Sequence, residues 1–381
     1  MKKFEKKNDL PIMDPSDGIV LFHPHIPKST NDAISEVLKT RWIGQGPKVE
    51  QFEDLFLKEF SISGSAIATG SGTDALHLSY LLSNLKEEDE VLAPVFTCTA
   101  TNIPLLYLKA NIKFVDVNPN TLNICVEDLK RKISEKTKAI VCVHYGGLPC
   151  DMSEIGELAK KFNIPVIEDA AHAIGAKYKN QFIGNISEYT MFSFQAIKHI
   201  TTGDGGMLIA KNQDQEAMAK RLRWFGIERK QKQLGIWDND IIEVGYKYTM
   251  TDISAAMGIE ALKEFDQIIS LRRSLYQRYV HNLKDFSGVK IVDDFSPDKQ
   301  HACWLFTVLV ERRSDLQQKL RNLKIESGQT HFRNDRYTVF KDSEDYPNMN
   351  LIDDSYLILP LHTKMNIEHI DFICDQIKQG W

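Results

Sequence analysis

The chain has 381 residues, 43% of them hydrophobic and 26% charged, which fits an ordinary soluble globular protein with a sizeable core and two or three domains. Forty-seven basic residues against 52 acidic ones give a formal charge of -5, so no global basic field is available to hold nucleic acid or an anionic membrane. The partners expected are small molecules or a second copy of the chain. No apolar run approaches bilayer-spanning length, and the basic Met1–Lys7 segment runs into Asn8-Asp9 rather than the apolar stretch of a secretory signal. Six cysteines, Cys98, Cys125, Cys142, Cys150, Cys303 and Cys374, lack the paired close spacing of a zinc site. They are expected to be reduced thiols packed as small hydrophobes in a cytoplasmic protein, with no metal bound.

In chain order, the first strong helical period runs from Thr73 to Leu85, with Ala75, Leu78, Leu82 and Leu85 on one face, directly after Gly70-Ser71-Gly72. Short β-rich apolar runs follow at 91–95, 112–116, 139–143, 165–168, 191–194 and 207–210, alternating with helical patterns. Such alternation predicts a mostly parallel sheet covered by helices. A second strong helix is predicted over 251–269, leading out of the large domain. Beyond it, 289–292, 304–310 and 357–359 read as strands and 314–323 and 367–377 as helices, a smaller α+β unit. The expected division is 1–260, a large domain with an N-terminal arm, and 261–381, a small one.

Three features carry chemistry. Thr69-Gly70-Ser71-Gly72-Thr73-Asp74 opens the first helix, where glycine-permitted amides and the helix dipole would face an anion such as a phosphate; a plain helix cap uses the same residue types. Asp169, in Val166-Ile167-Glu168-Asp169-Ala170-Ala171-His172, ends a predicted parallel strand, where an ionised carboxylate could keep a pyridine nitrogen protonated. Lys198, in Ser193-Phe194-Gln195-Ala196-Ile197-Lys198 ahead of Thr201-Thr202-Gly203-Asp204-Gly205-Gly206, becomes an imine-forming nucleophile if burial lowers its pKa. Singly, each has a bland reading: a cap, a loop carboxylate, a solvated lysine. In this order on an alternating α/β pattern they describe pyridoxal 5'-phosphate held at three points.

With these residues the chain resembles the DegT/DnrJ/EryC1/StrS family of fold-type I pyridoxal phosphate enzymes, chiefly nucleotide-sugar aminotransferases. The resemblance extends from Arg41-Trp42-Ile43-Gly44-Gln45-Gly46-Pro47 through Gly245-Tyr246-Lys247-Tyr248-Thr249-Met250-Thr251-Asp252 to Leu359-Pro360-Leu361-His362. It implies a large domain with a mostly parallel seven-stranded sheet and a homodimer with shared active sites. It implies that Lys198 carries the cofactor and shuttles the proton, that Asp169 pairs with the pyridine nitrogen, and that Gly72, Thr73 and Ser193 hold the phosphate, with His172 near the ring hydroxyl. The reaction implied moves an amino group from L-glutamate to a keto group of a nucleotide-linked deoxy sugar in surface-glycan or amino-sugar biosynthesis.

Two positions depart from the commonest family pattern. Lys247 stands where many members place an asparagine on the phosphate of the partner subunit's cofactor, and it could serve that dianion as a point charge. Cys98 stands where many relatives carry an aromatic that stacks on the pyridine ring. Another branch replaces the aldehyde-bearing lysine with histidine and removes a hydroxyl instead; the spacing from Ser193 puts Lys198, rather than His199, at that position. Substrate contacts are expected from His331, Arg333 and Arg336 in a polar, doubly cationic stretch, although arginines paired with Asp335 would explain it equally. Trp224, Trp237 and Trp304 are candidates to stack on a base or sugar. A small phosphorylated ketone as acceptor, and a non-catalytic cofactor-binding regulator of the same fold, are the alternatives.

Overall fold

The computed structural model describes residues 10–236, 238 and 240–381, so Met1–Lys7 and Trp237 lie outside the described residues. Seven strands form the main sheet: β1 (Ser65–Thr69), β2 (Glu90–Pro94), β3 (Asn111–Val115), β4 (Thr137–Val143), β5 (Val166–Asp169), β6 (Tyr189–Ser193) and β7 (Gly206–Ala210). Their order is β1-β7-β6-β5-β4-β2-β3. The pairs among β3, β2, β4, β5 and β6 are parallel, whereas β7 runs antiparallel to both β6 and β1. Every residue of β1, β6 and β7 is buried, as is usual for strands covered on both faces. Six of the seven coincide with predicted runs. The seventh, β1, is Ser-Ala-Ile-Ala-Thr, whose small side chains carry little apolar signal although the strand is fully buried.

The first predicted helix spans Gly72–Leu82, capped by the Ser71 hydroxyl, which accepts from the Asp74 amide at 3.1 Å. The helix predicted over 251–269 is instead two, Asp252–Lys263 and Phe265–Leu283, and the break at Glu264 swings Phe265 edge-on against Phe60. The second carries the chain to an antiparallel sheet of β8 (Val289–Ile291), β9 (Phe306–Val310) and β10 (Tyr356–Leu359). There Leu275, Tyr279, Val308, Leu357 and Ile373 form a separate core. The N-terminal segment, expected within the large unit, is bonded to this smaller one: Ile19 donates its amide to Lys324 and accepts from Glu326.

One carboxylate ties two of the sequence motifs together. Buried Asp252 accepts from the amides of Gly46 (2.7 Å), Lys48 (3.1 Å) and Val49 (3.1 Å), satisfying the open N-terminus of helix Pro47–Glu59. Its own amide donates to the Gly44 carbonyl. Replacing it with alanine takes the carboxylate from the Gly46 and Lys48 amides, while the Val49 amide keeps only its bond to the Gly46 carbonyl. Asp252→Ala is therefore expected to lower the unfolding free energy by about 2 kcal/mol in urea titration, and an unchanged midpoint would show that water replaces the cap.

Candidate active site

The lysine sits in a loop closed by the antiparallel pair β6–β7. Ser193 faces Gly206 across the pair; beyond it the Phe194 amide donates to the Gly205 carbonyl and the Thr202 amide to the Phe194 carbonyl. Gly203 has φ +80°, a conformation that suits glycine. Gly206 lies so close to the entry of helix Gly72–Leu82 that a Cβ there would collide with the Ser71 carbonyl. This close approach sets the helix start against the sheet end. A side chain on Gly72 would come within 3.1 Å of Met191 Sδ and 3.4 Å of Ser193 Oγ, so bare backbone occupies that corner.

A cavity of about 420 Å³ opens here, lined by Gly72, Thr73, Asp169, His172, Ser193 and Lys198 together with Cys98, Trp304 and His331, among others. The structure thus gathers residues from stretches far apart in the sequence around one cavity. Lys198 is buried, and that burial pulls its amine down to about 7; the Asp169 carboxylate opposes the shift and the Arg272 guanidinium adds to it. Its Nζ lies 3.5 Å from the centroid of the Trp304 ring. The Trp304 indole N–H donates to the carbonyl of Ile197, directly before Lys198, at 3.0 Å. Trp304 therefore holds the loop with its edge and meets the amine with its face.

Asp169 ends β5, and its carboxylate is buried, which pushes its pKa up. Two donors work against that: the Thr101 hydroxyl at 2.7 Å and the Ala171 amide at 3.1 Å, with the Lys198 charge beside them. His172 stacks on Trp304, 3.9 Å away at 19°, and lies edge to edge with His331, whose ring is parallel to it within 4° at a centroid distance of 5.0 Å. Burial drives both histidines below their usual pKa, His331 to about 3, so both rings are neutral in the working range of most enzymes.

Two residues expected to contact substrate lie off this wall, and Lys247, expected at the cofactor of the partner subunit, is not on it either. Lys247 is exposed, its Nζ over the Phe225 ring at 5.6 Å, and does not line this cavity. Arg333 is buried and forked onto Asp335 through two bonds of 2.7 Å, with a third to Asn350 at 2.6 Å, so its guanidinium is consumed by the protein rather than offered to a ligand. Arg336 is half-buried with its guanidinium over Phe332, also off the cavity wall. Cys98 does line it, exposed at the start of helix Thr99–Tyr107.

Two contributors escaped the sequence reading. Thr101 lies three residues after Cys98, but no spacing ties it to Asp169. Arg272 is buried and donates to the carbonyls of Cys303, Trp304 and Leu361 at 3.2, 3.4 and 3.0 Å, fixing the segment that presents Trp304. The signal was available: Arg272 falls on the helix face of Leu275, Tyr276 and Tyr279, where a charge has to find partners.

The DegT/DnrJ/EryC1/StrS aminotransferase family profile matches residues 24–378. A GDP-perosamine synthase from Escherichia coli is 32% identical over 95% of this chain and 98% of its own. Among solved structures, the sugar aminotransferase CalS13 from Micromonospora echinospora superposes with a TM-score of 0.91 at 27% identity, covering 95% of this chain and 100% of that one. A Streptococcus pneumoniae protein solved in its PLP form superposes with a TM-score of 0.88 at 27% identity, over 95% and 98% of the two chains.

Because the Asp169 charge opposes the burial that depresses Lys198, Asp169→Asn is expected to move the lysine titration below about 7. The titration can be followed by ¹³C NMR of reductively methylated protein, with Lys198→Ala identifying the resonance. A midpoint that stays put or rises would remove the electrostatic coupling between the two groups.

Proposed function

This chain belongs to the DegT/DnrJ/EryC1/StrS aminotransferase family, and from that premise we propose that it moves an amino group, from L-glutamate, to the keto group of a nucleotide-linked deoxy sugar in surface-glycan or amino-sugar assembly. The observation that carries the reading is Lys198, a buried amine near neutrality on the same wall as the Asp169 carboxylate and an open helix N-terminus. Similarity to a GDP-perosamine synthase favours a nucleotide-linked sugar as acceptor.

The family implies pyridoxal phosphate, and the donor set suits it. A side chain on Gly72 would crowd Met191 and Ser193, and without one the backbone amides stand open where a phosphate would be cradled. When bound, this cofactor supplies an aldehyde that takes up nitrogen and a ring that acts as an electron sink. The amides of Gly72 and Thr73 and the Ser193 hydroxyl would bind its phosphate, and Asp169, whose two donors favour the carboxylate against its burial, would hold the proton on the ring nitrogen. His172, gripped by Trp304, would lie by the ring hydroxyl, with Cys98 as a soft apolar contact. Lys198, with its pKa brought to about 7, has both forms available at neutral pH, so it can act as nucleophile and can take and return a proton at Nζ.

A homodimer belongs to the same reading. Phe225, Leu234, Ile236, Ile241, Ile242 and Val244 are exposed within one stretch of chain, the chemistry expected of a surface that a second copy covers. Lys247, exposed beside them, would meet the phosphate in the partner subunit, and Arg336 stays a candidate for the substrate's phosphates. A regulator of the same fold would have no need of so depressed a lysine. No described helix is long and apolar enough to cross a membrane, and the free cysteines suit the cytoplasm in which the reaction is proposed to run.

Protein supplied with pyridoxal phosphate is expected to show a visible absorption band that bleaches on excess glutamate, and then to aminate nucleotide-linked keto sugars in preference to small phosphorylated ketones. Lys198→Ala is expected to keep the wild-type circular dichroism while losing turnover by about 10³-fold or more. A band indifferent to every amino donor would redirect the assignment to deoxygenation or regulation, and normal turnover by Lys198→Ala would end the proposed role of the lysine.

A further inference from the structure

His172 and His331 stand parallel in the cavity wall with their Nε2 atoms 3.2 Å apart. Two neutral imidazoles at that distance share one proton, so one Nε2 donates and the other accepts. The main chain decides which. A backbone N–H can only donate, and that of Gly146 donates to His172 Nδ1 at 3.2 Å. The single proton of His172 is therefore on Nε2, pointing at His331 Nε2. His331 must carry its own proton on Nδ1, where the Thr330 main chain accepts it.

We propose that His331 is a positioning residue that acts through His172: it accepts the His172 Nε2 proton, is itself held in the Nδ1–H form, and fixes the plane of the ring stacked on Trp304. The chain of bonds runs one way, from Gly146 through His172 and His331 to Thr330, and begins and ends on the backbone. Both His331 nitrogens are then engaged inside the protein. It meets a substrate as part of a ring wall, and neither donates a hydrogen bond to it nor transfers a proton. Burial keeps both rings neutral, which preserves the chain, since a second proton on either ring would set N–H against N–H. That His172 in turn orients the cofactor ring rests on the function proposed above; the tautomers do not.

The test is long-range ¹H–¹⁵N correlation on histidine-labelled, cofactor-free protein at neutral pH, with His172→Gln and His331→Gln assigning the signals. The expected spectrum has His172 protonated at Nε2 and His331 at Nδ1. His331→Phe, which keeps a ring but has no acceptor, is expected to shift the His172 Nε2 signal and weaken pyridoxal phosphate binding by about five- to tenfold, the worth of one hydrogen bond. His331→Gln, whose side-chain carbonyl can accept, should bind the cofactor nearly as wild type does. A proton on His172 Nδ1 or His331 Nε2 would overturn the proposal, and so would a Phe variant with unchanged His172 signals and affinity; the wild-type spectrum decides even if that variant does not fold. Correct tautomers in a protein that fails to transaminate would count against the proposed function and leave this inference standing.

Discussion

The site depends on taking one ammonium group out of water. A lysine on the surface of this protein would hold its proton far above neutrality, and burial of Lys198 is what brings it near 7. Burying an amine is costly unless its surroundings compensate, and here they do so in part. Asp169 attracts the charged form, the Trp304 ring face receives Nζ, and Arg272 pushes the other way without touching it. The balance leaves an amine that can be either charged or free at cellular pH, which a nucleophile and proton carrier needs.

The fold supplies that burial through the edge of the sheet where its direction changes. Asp169 and Ser193 end neighbouring parallel strands, and the next strand returns antiparallel, so the loop bearing Lys198 doubles back over those same strand ends. Phe194 anchors the base of the loop among Phe52 and Phe56. Gly206 lets the helix entry press against this edge, a packing that a side chain there would open by collision with the backbone of Ser71 and Gly72. The far wall comes from later in the chain: Trp304 lies just before β9 and His331 just before the short strand Phe332–Arg333, and Arg272 clamps the carbonyls of the segment that bears Trp304. The wall that bears Trp304 is joined to the main sheet by a shared core, in which Trp304, Leu305 and Tyr356 pack with Val95, Phe96 and Tyr145.

How much of the site was legible varied with the kind of signal. Lys198, Asp169, Gly72, Thr73, Ser193 and His172 were named from short motifs because a strand end or a helix start tells where a residue sits without knowing the rest of the fold, and all six reach the cavity. His331 was named from its polar surroundings and is there too, although its nitrogens are taken up by neighbours. Arg333 came from the same stretch and failed to arrive, since Asp335, two residues on, lies within reach of a fork. Thr101 and Arg272 act through hydrogen bonds to groups remote in sequence, and a sequence does not display such bonds.

The sequence by itself determined the class of fold, six of the seven strands of the main sheet and the residues able to do chemistry, because periodicity and turn chemistry are local and are written residue by residue. Tertiary structure alone decided the protonation of Lys198, the partner of Asp169, the tautomers of the two histidines and the fate of Arg333. Each of these depends on desolvation and on which groups from distant segments come within hydrogen-bonding distance. Those quantities exist only after the chain has closed on itself.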